Sequence, residues 1–334
     1  MSPQGNAHFN PDVARQSTCW MSQALSASLL DIQHQLQSHQ NMASCLMAVT
    51  ELHNNVVKAL SKKHSLSPLL FAGYYHFVHL LEQGDVEYCT RLLQELPCEM
   101  AGQTIVNGTL ELCTTDIHRS LLNNCLYTET QKSYWEHCET QEFQQAYAKI
   151  SDVINIIKRT QTNFHQEFQT LVSTIVMAKP KSQTFRFDGA SSYHLWGLMM
   201  LAWDDQKTDL EWIETLAHES SHIYLFGLIR DQALLVEDHE GLYSSPLRAD
   251  KRPLEGIYHA TYVSARMYLA VIHYRHSHPS YFDQVEVDNL TSASLRAFRD
   301  GYQTIMQHAK LTDLGRSILD DCVRAVGAYH SIET

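Results

Sequence analysis

Two histidines one helical turn apart, with an acid beside the first, can hold a metal ion. The stretch 216-LAHESSHIYLFGL-228 places His218, Glu219 and His222 in the spacing H-E-x-x-H. Positions i and i+4 share one face of a helix, so both imidazoles can reach one ion. In metalloproteases this pattern binds zinc, and the glutamate is the general base. Such a site needs a third protein ligand. The longer pattern H-E-x-x-H-x-x-G-x-x-H is excluded, because residues 225 and 228 are both leucine. A later glutamate could complete the site instead, and Glu237, Glu240 and Glu255 lie at suitable chain distances, though none sits in a second recognisable motif.

The segment 242-LYSSPLRADKRPLEGIYHATYVSARMYLAV-271 is more informative. Pro246 and Pro253 bracket Arg248 and Arg252 in a loop that is extended before each proline. Pro253 suits a helix start, and on the helix that follows Glu255, His259, Tyr262 and Arg266 share one face. His259, 37 residues after His222, is the candidate third ligand. Taken alone, the two arginines read as a solvated loop ion-paired to Asp250. Their place between two histidine-bearing helices favours a guanidinium clamp for a small dicarboxylate.

These residues need rigid elements. Thr208 or Asp209 can cap a helix over 210–229, with Glu211 and Glu214 near its positive end. Its apolar stripe of Ile213, Leu216, Ala217, Tyr224 and Leu228 would set it against a core. Amphipathic helices follow one another from Asp12 to about Leu96, with a break at 65–68, a C-cap at Gly84 and a stop at Pro97. The Asn107-Gly108 pair within 103–116 suggests a short hairpin. Helical periodicity runs from about Gln141 to Ala178 and breaks over 179–192. The sequence thus indicates a mainly α protein with at most a few short strands. It divides into a helical region, 1–178, as scaffold or peptide-docking surface, and a metal-binding catalytic region, 179–334, with the site between two helices of the C-terminal half.

At 334 residues, with 44% apolar and 19% charged residues, the chain is long and apolar enough to fold unaided. A net charge of -12 and the lack of a dense basic block argue against nucleic acid as partner. The longest apolar run, 195-LWGLMMLAW-203, is too short for a bilayer, and the start MSPQGNAHFNPDV lacks the order of a signal peptide. The expected location is cytoplasmic, off the membrane, with the eight scattered cysteines as buried free thiols.

His218-Glu219-x-x-His222, followed by Tyr243, Pro246, Arg248, Asp250, Arg252-Pro253-Leu254, Gly256, His259 and Tyr262, resembles the HExxH-motif peptide-modification proteins, the 2-oxoglutarate-dependent HExxH-type peptide β-hydroxylases. The resemblance covers 216–266 firmly and 311-LTDLG-315 weakly. The chain departs from the family at Leu247, where tryptophan is common, and at Glu255, where glycine is; the position of His259 is histidine in only some members. The resemblance implies Fe(II), with 2-oxoglutarate and O2 as cosubstrates, and hydroxylation at a β-carbon of a ribosomally made precursor peptide. His218, His222 and His259 would hold iron, leaving three octahedral positions open. Arg248 or Arg252 would pair the distal carboxylate of 2-oxoglutarate. Glu219 would orient a ligand or a water, and Tyr243 and Tyr262 would be pocket wall or packing. Two other readings stand beside it: a zinc peptidase or hydrolase using His218, Glu219 and His222, and a non-catalytic helical binding protein.

Overall fold

The computed structural model describes residues 6–100, 103–108, 115–126, 135–180, 188–236, 241–277 and 283–330. In chain order the elements begin α1 (Pro11–Leu36), α2 (Ala43–Ser61), β1 (Ser65–Leu66), α3 (Pro68–Gln83), α4 (Val86–Glu95), β2 (Glu99–Met100), β3 (Thr104–Asn107), α5 (Asp116–Leu126) and β4 (Trp135–Glu136). They continue with α6 (Thr140–Thr160), α7 (Thr162–Leu171), β5 (Thr174–Pro180), β6 (Gly189–Ser191), β7 (Leu198–Ala202) and α8 (Asp209–Ile229). The last are β8 (Tyr243–Ser244), β9 (Lys251–Arg252), α9 (Leu254–Ser277), α10 (Gln284–His308) and α11 (Asp313–His330). The protein is mainly α, and none of the described helices is long and apolar enough to cross a membrane.

Two compact units interleave along the chain. One comprises Gln16–Tyr147 and Gln169–Asp204; the other comprises Met1–Arg15, Ala148–Phe168 and Asp205–Thr334. The expected division ran in chain order at 178, whereas here the N-terminal segment and 148–168 join the H-E-x-x-H region.

The first unit holds a sheet in the order β3-β5-β7-β6, with β4 on β5. β3, β5 and β7 are parallel, Thr104 facing Thr174 and Thr174 facing Leu198. Residues 174–178 and 198–202 are buried at every position. Strands covered on both faces read as continuous apolar runs without alternation. For that reason the expected helix to Ala178 is wrong at its end: α7 stops at Leu171, and Thr174, Ile175 and Val176 form a central strand. β3 pairs with β5 in parallel, and the return arm of the expected hairpin, 109–114, lies outside the described residues. The turns are as expected at α3, where Ser67 Oγ accepts from Leu69 N, Pro68 opens the helix, and Gly84 closes it at φ 81°. Seven described cysteines are free thiols; Cys45, Cys89, Cys138 and Cys322 are buried, but Cys19 is exposed, contrary to expectation.

In the second unit α9 is the central rod, packed against α8, α10 and α11. From Ile257 to Ile272 it is buried at nearly every position, so its polar side chains must find partners inside the protein. Close helix contact requires glycine at 301, where a Cβ would lie 2.0 Å from Thr261 Oγ1. The 311-LTDLG-315 segment has a packing role. A Cβ on Gly315 would lie 2.2 Å from the Leu234 carbonyl oxygen, and Gly315 O accepts from Tyr258 Oη at 2.6 Å.

Candidate metal centre

α8 begins with a full capping box: Thr208 Oγ1 accepts from Glu211 N, and Glu211 returns a bond to Thr208 N. Leu210, Ile213, Leu216, Ala217, Tyr224 and Leu225 fix this helix in the core. That seating brings His218 and His222 together. Their Nε2 atoms are 3.2 Å apart, with ring centroids at 4.9 Å. Two nitrogens each about 2.1 Å from one ion, at angles of about 90–109°, stand about 3.0–3.4 Å apart, so this pair has the spacing of adjacent ligands on one metal. His218 Nδ1 lies 3.2 Å from Met267 Sδ of α9, which holds the ring from its other side.

α9 brings His259 beside the pair. Its ring stacks on His222 at 5.9 Å and 27°, and both rings pack on Phe226. Among the described residues no group of three His, Cys, Asp or Glu meets metal-ligand geometry. Two imidazoles thus have the spacing that metal ligands require, and a third histidine ring lies beside them. Glu237 and Glu240 lie outside the described residues, and Glu255 is exposed. Glu219 is only 4% exposed, its Oε1 3.8 Å from His218 Nε2.

Burial holds two of the three imidazoles neutral. Burial, then the neighbouring His218, His259 and Arg248, holds His222 well below the ordinary histidine range. Burial lowers His259 to about 4. Neutral imidazoles keep their lone pairs for a metal at neutral pH.

The Pro-Arg segment is a two-stranded ribbon. β8 and β9 pair antiparallel, Tyr243 facing Arg252, and Pro253 ends the ribbon where α9 begins. Arg248, near its tip, is exposed yet close enough to His222 for its charge to act there. Arg252 instead forms an ion pair with Asp250 at 2.8 Å. Tyr243 packs on His308 at 4.8 Å. Tyr262 turns away from the histidines and donates through Oη to Asn6 O at 2.8 Å. The expected shared face of 255, 259, 262 and 266 is thus divided among solvent, the histidine cluster and a second polar cluster, because the face is wider than any one neighbour.

That second cluster centres on Arg266, which is wholly buried with Glu167 as its ion-pair partner. Arg266 Nε donates to Ser221 Oγ at 2.8 Å, between the two motif histidines, and Nη1 donates to His8 O at 3.3 Å. Its guanidinium lies over Phe9 at 4.4 Å and Tyr224 at 4.3 Å. Asn10 N donates to Glu167 Oε2 at 2.7 Å, so the segment 6–10 is strapped across the hub. Burial pushes the Glu167 carboxyl up to about 7, against the opposing pull of Arg266 and the Asn10 amide. Sequence reasoning missed Glu167, although an acid among Phe164, Phe168 and Leu171 at helical spacing is the signal of a charge on a core face.

The chain matches no protein-family model and no curated protein.

Proposed function

We propose that this chain is an Fe(II)- and 2-oxoglutarate-dependent hydroxylase that acts on a ribosomally made peptide in the cytoplasm. The observation that carries the reading is the 3.2 Å convergence of His218 Nε2 and His222 Nε2, beside His259 and within reach of the Arg248 charge. His218 and His222 would hold the metal, and His259 would complete the set. Bound iron would supply the oxidation, with 2-oxoglutarate and O2 consumed, succinate and CO2 released, and one oxygen atom passed to a substrate C–H bond. Arg248 is the better clamp for the distal carboxylate of 2-oxoglutarate, because among the described residues no carboxylate holds its side chain in the way Asp250 holds Arg252. Met267 and Phe226 hold the imidazoles in orientation. Glu219, enclosed by protein, fits the orientation of His218 better than the shuttling of protons between water and a leaving amine.

A zinc hydrolase stays the second reading, favoured by the approach of Glu219 to His218 at 3.8 Å. Incubation of the protein with Fe(II), 2-oxoglutarate and air should yield succinate, and a chelator should stop it. A candidate peptide encoded beside the gene should gain one oxygen in mass. Two shorter fragments in place of that gain would establish the hydrolase.

A further inference from the structure

Met267 stands on α9 eight residues after His259, and both side chains reach α8. Met267 Sδ lies 3.2 Å from His218 Nδ1. A thioether sulfur has no proton to give and accepts weakly, so this contact is a hydrogen bond only when Nδ1 carries the proton. A neutral imidazole has one N–H, which leaves His218 Nε2 as an acceptor. The 3.2 Å contact between His218 Nε2 and His222 Nε2 then takes its proton from His222. Glu219 Oε1, 3.8 Å from His218 Nε2, is too far to draw the His218 proton to that side. The two contacts form one directional chain: His222 Nε2–H donates to His218 Nε2, and His218 Nδ1–H donates to Met267 Sδ.

The hydrogen bond made by one nitrogen of a histidine sets whether the other is open to a metal. His218 is ready in this sense, with a lone pair on Nε2. His222 is not, because in the chain its Nε2 carries the proton, which must pass to Nδ1 before Nε2 can coordinate. Two imidazoles alike in the motif are thus unequal in the fold. The acceptor also differs from the common one. Histidine ligands ordinarily donate to a carboxylate, a carbonyl or a water, which raises ligand basicity. A thioether orients the ring with little of that gain.

We infer that Met267 is a positioning residue: its sulfur fixes His218 in the Nδ1–H form, so that His218 Nε2 takes the metal first and His222 joins after its proton shifts to Nδ1. The role rests on the metal centre proposed above, whereas the tautomer belongs to the metal-free chain and is tested without metal.

Long-range proton–nitrogen correlation spectra of the isotope-labelled full chain read the tautomers, at about pH 8, above the ordinary histidine value. Loss of signals in His218→Asn and His222→Asn identifies the two rings. Metal-free protein should show the proton on Nδ1 of His218 and on Nε2 of His222. In Met267→Leu, which keeps the bulk and removes the sulfur, the Nδ1–H form of His218 should lose its predominance. In Met267→Gln, whose amide oxygen accepts in place of sulfur, it should return. On addition of Zn(II), His218 should keep its tautomer and His222 should change to Nδ1–H. Anaerobic Fe(II) affinity should fall about tenfold in Met267→Leu and recover in Met267→Gln. Should Met267→Leu not fold, the wild-type spectra with and without Zn(II) decide. A His218 proton on Nε2 in the metal-free wild-type chain, or a tautomer and an Fe(II) affinity that Met267→Leu leaves unchanged, overturns the assignment. Without Zn(II) or Fe(II) binding by the wild-type chain the metal reading fails, and the metal-free spectra alone then decide whether Met267 sets the tautomer.

Discussion

Helices α8 and α9 carry two polar clusters built on opposite principles. Around Arg266 the protein supplies a partner for each side of the guanidinium: Ser221, His8 O, Tyr262 and Glu167 around its edge, with Phe9 and Tyr224 on its faces. Around His222 the contacts are other imidazoles and a phenyl ring, and the two motif nitrogens face one another at 3.2 Å. A buried group satisfied by its own chain builds the fold. Two imidazole nitrogens that face each other at this distance have the spacing of adjacent ligands on one metal. Ser221 sits in the motif and bonds to the hub, so the closed cluster sets the frame for the histidine cluster.

The largest effect should come from breaking the closed cluster. Glu167→Gln leaves Arg266 charged and unpaired in the core, and denaturant unfolding should show a loss of about 3–5 kcal/mol. The double replacement Glu167→Leu with Arg266→Met should recover most of it; if it does not, the pair contributes stability of its own beyond mutual neutralisation. Ser221→Ala removes one hydrogen bond to a charged group and should cost about 1.5–3 kcal/mol in the same assay.

Acid should separate the two regions more gradually. His259 and His273 have folded values of about 4, below the ordinary histidine value of 6.5. The unfolded chain takes up protons first, so the stability these groups give is full above 6.5, is lost as pH falls from there to about 4, and falls no further below. His259→Asn should flatten part of that slope in melting curves recorded across the window. The smallest effect on stability should come from the histidine cluster itself: His222→Ala should change the unfolding free energy of the metal-free protein by no more than about 1 kcal/mol, since among the described residues that ring shows no hydrogen bond to a backbone or carboxylate group that the change would strand. A larger loss would show that His222 builds the fold as Arg266 does.

Local chemistry was legible in the sequence. The cap at Thr208, the left-handed Gly84, the prolines at 68 and 253, and the one-turn spacing of His218 and His222 are each fixed by residues within a few positions, and all stand in the structure. Pairing over long range was not. The parallel strands β5 and β7 hid in apolar runs, because burial on both faces erases alternation. The Arg266 hub joins segments 157 and 99 positions apart, Asn10 to Glu167 and Glu167 to Arg266, which no window along the chain encloses. The two arginines of the ribbon were indistinguishable in sequence; the Asp250–Arg252 pair tells them apart only once the strands register.

Metal binding tests the central claim most directly. Anaerobic Fe(II) titrated into metal-free protein should bind one ion per chain, and His218→Ala and His222→Ala should each abolish that binding while the chain stays folded. If Fe(II) does not bind, or if it binds equally well to both variants, then the converging histidines are packing and the proposed centre does not exist.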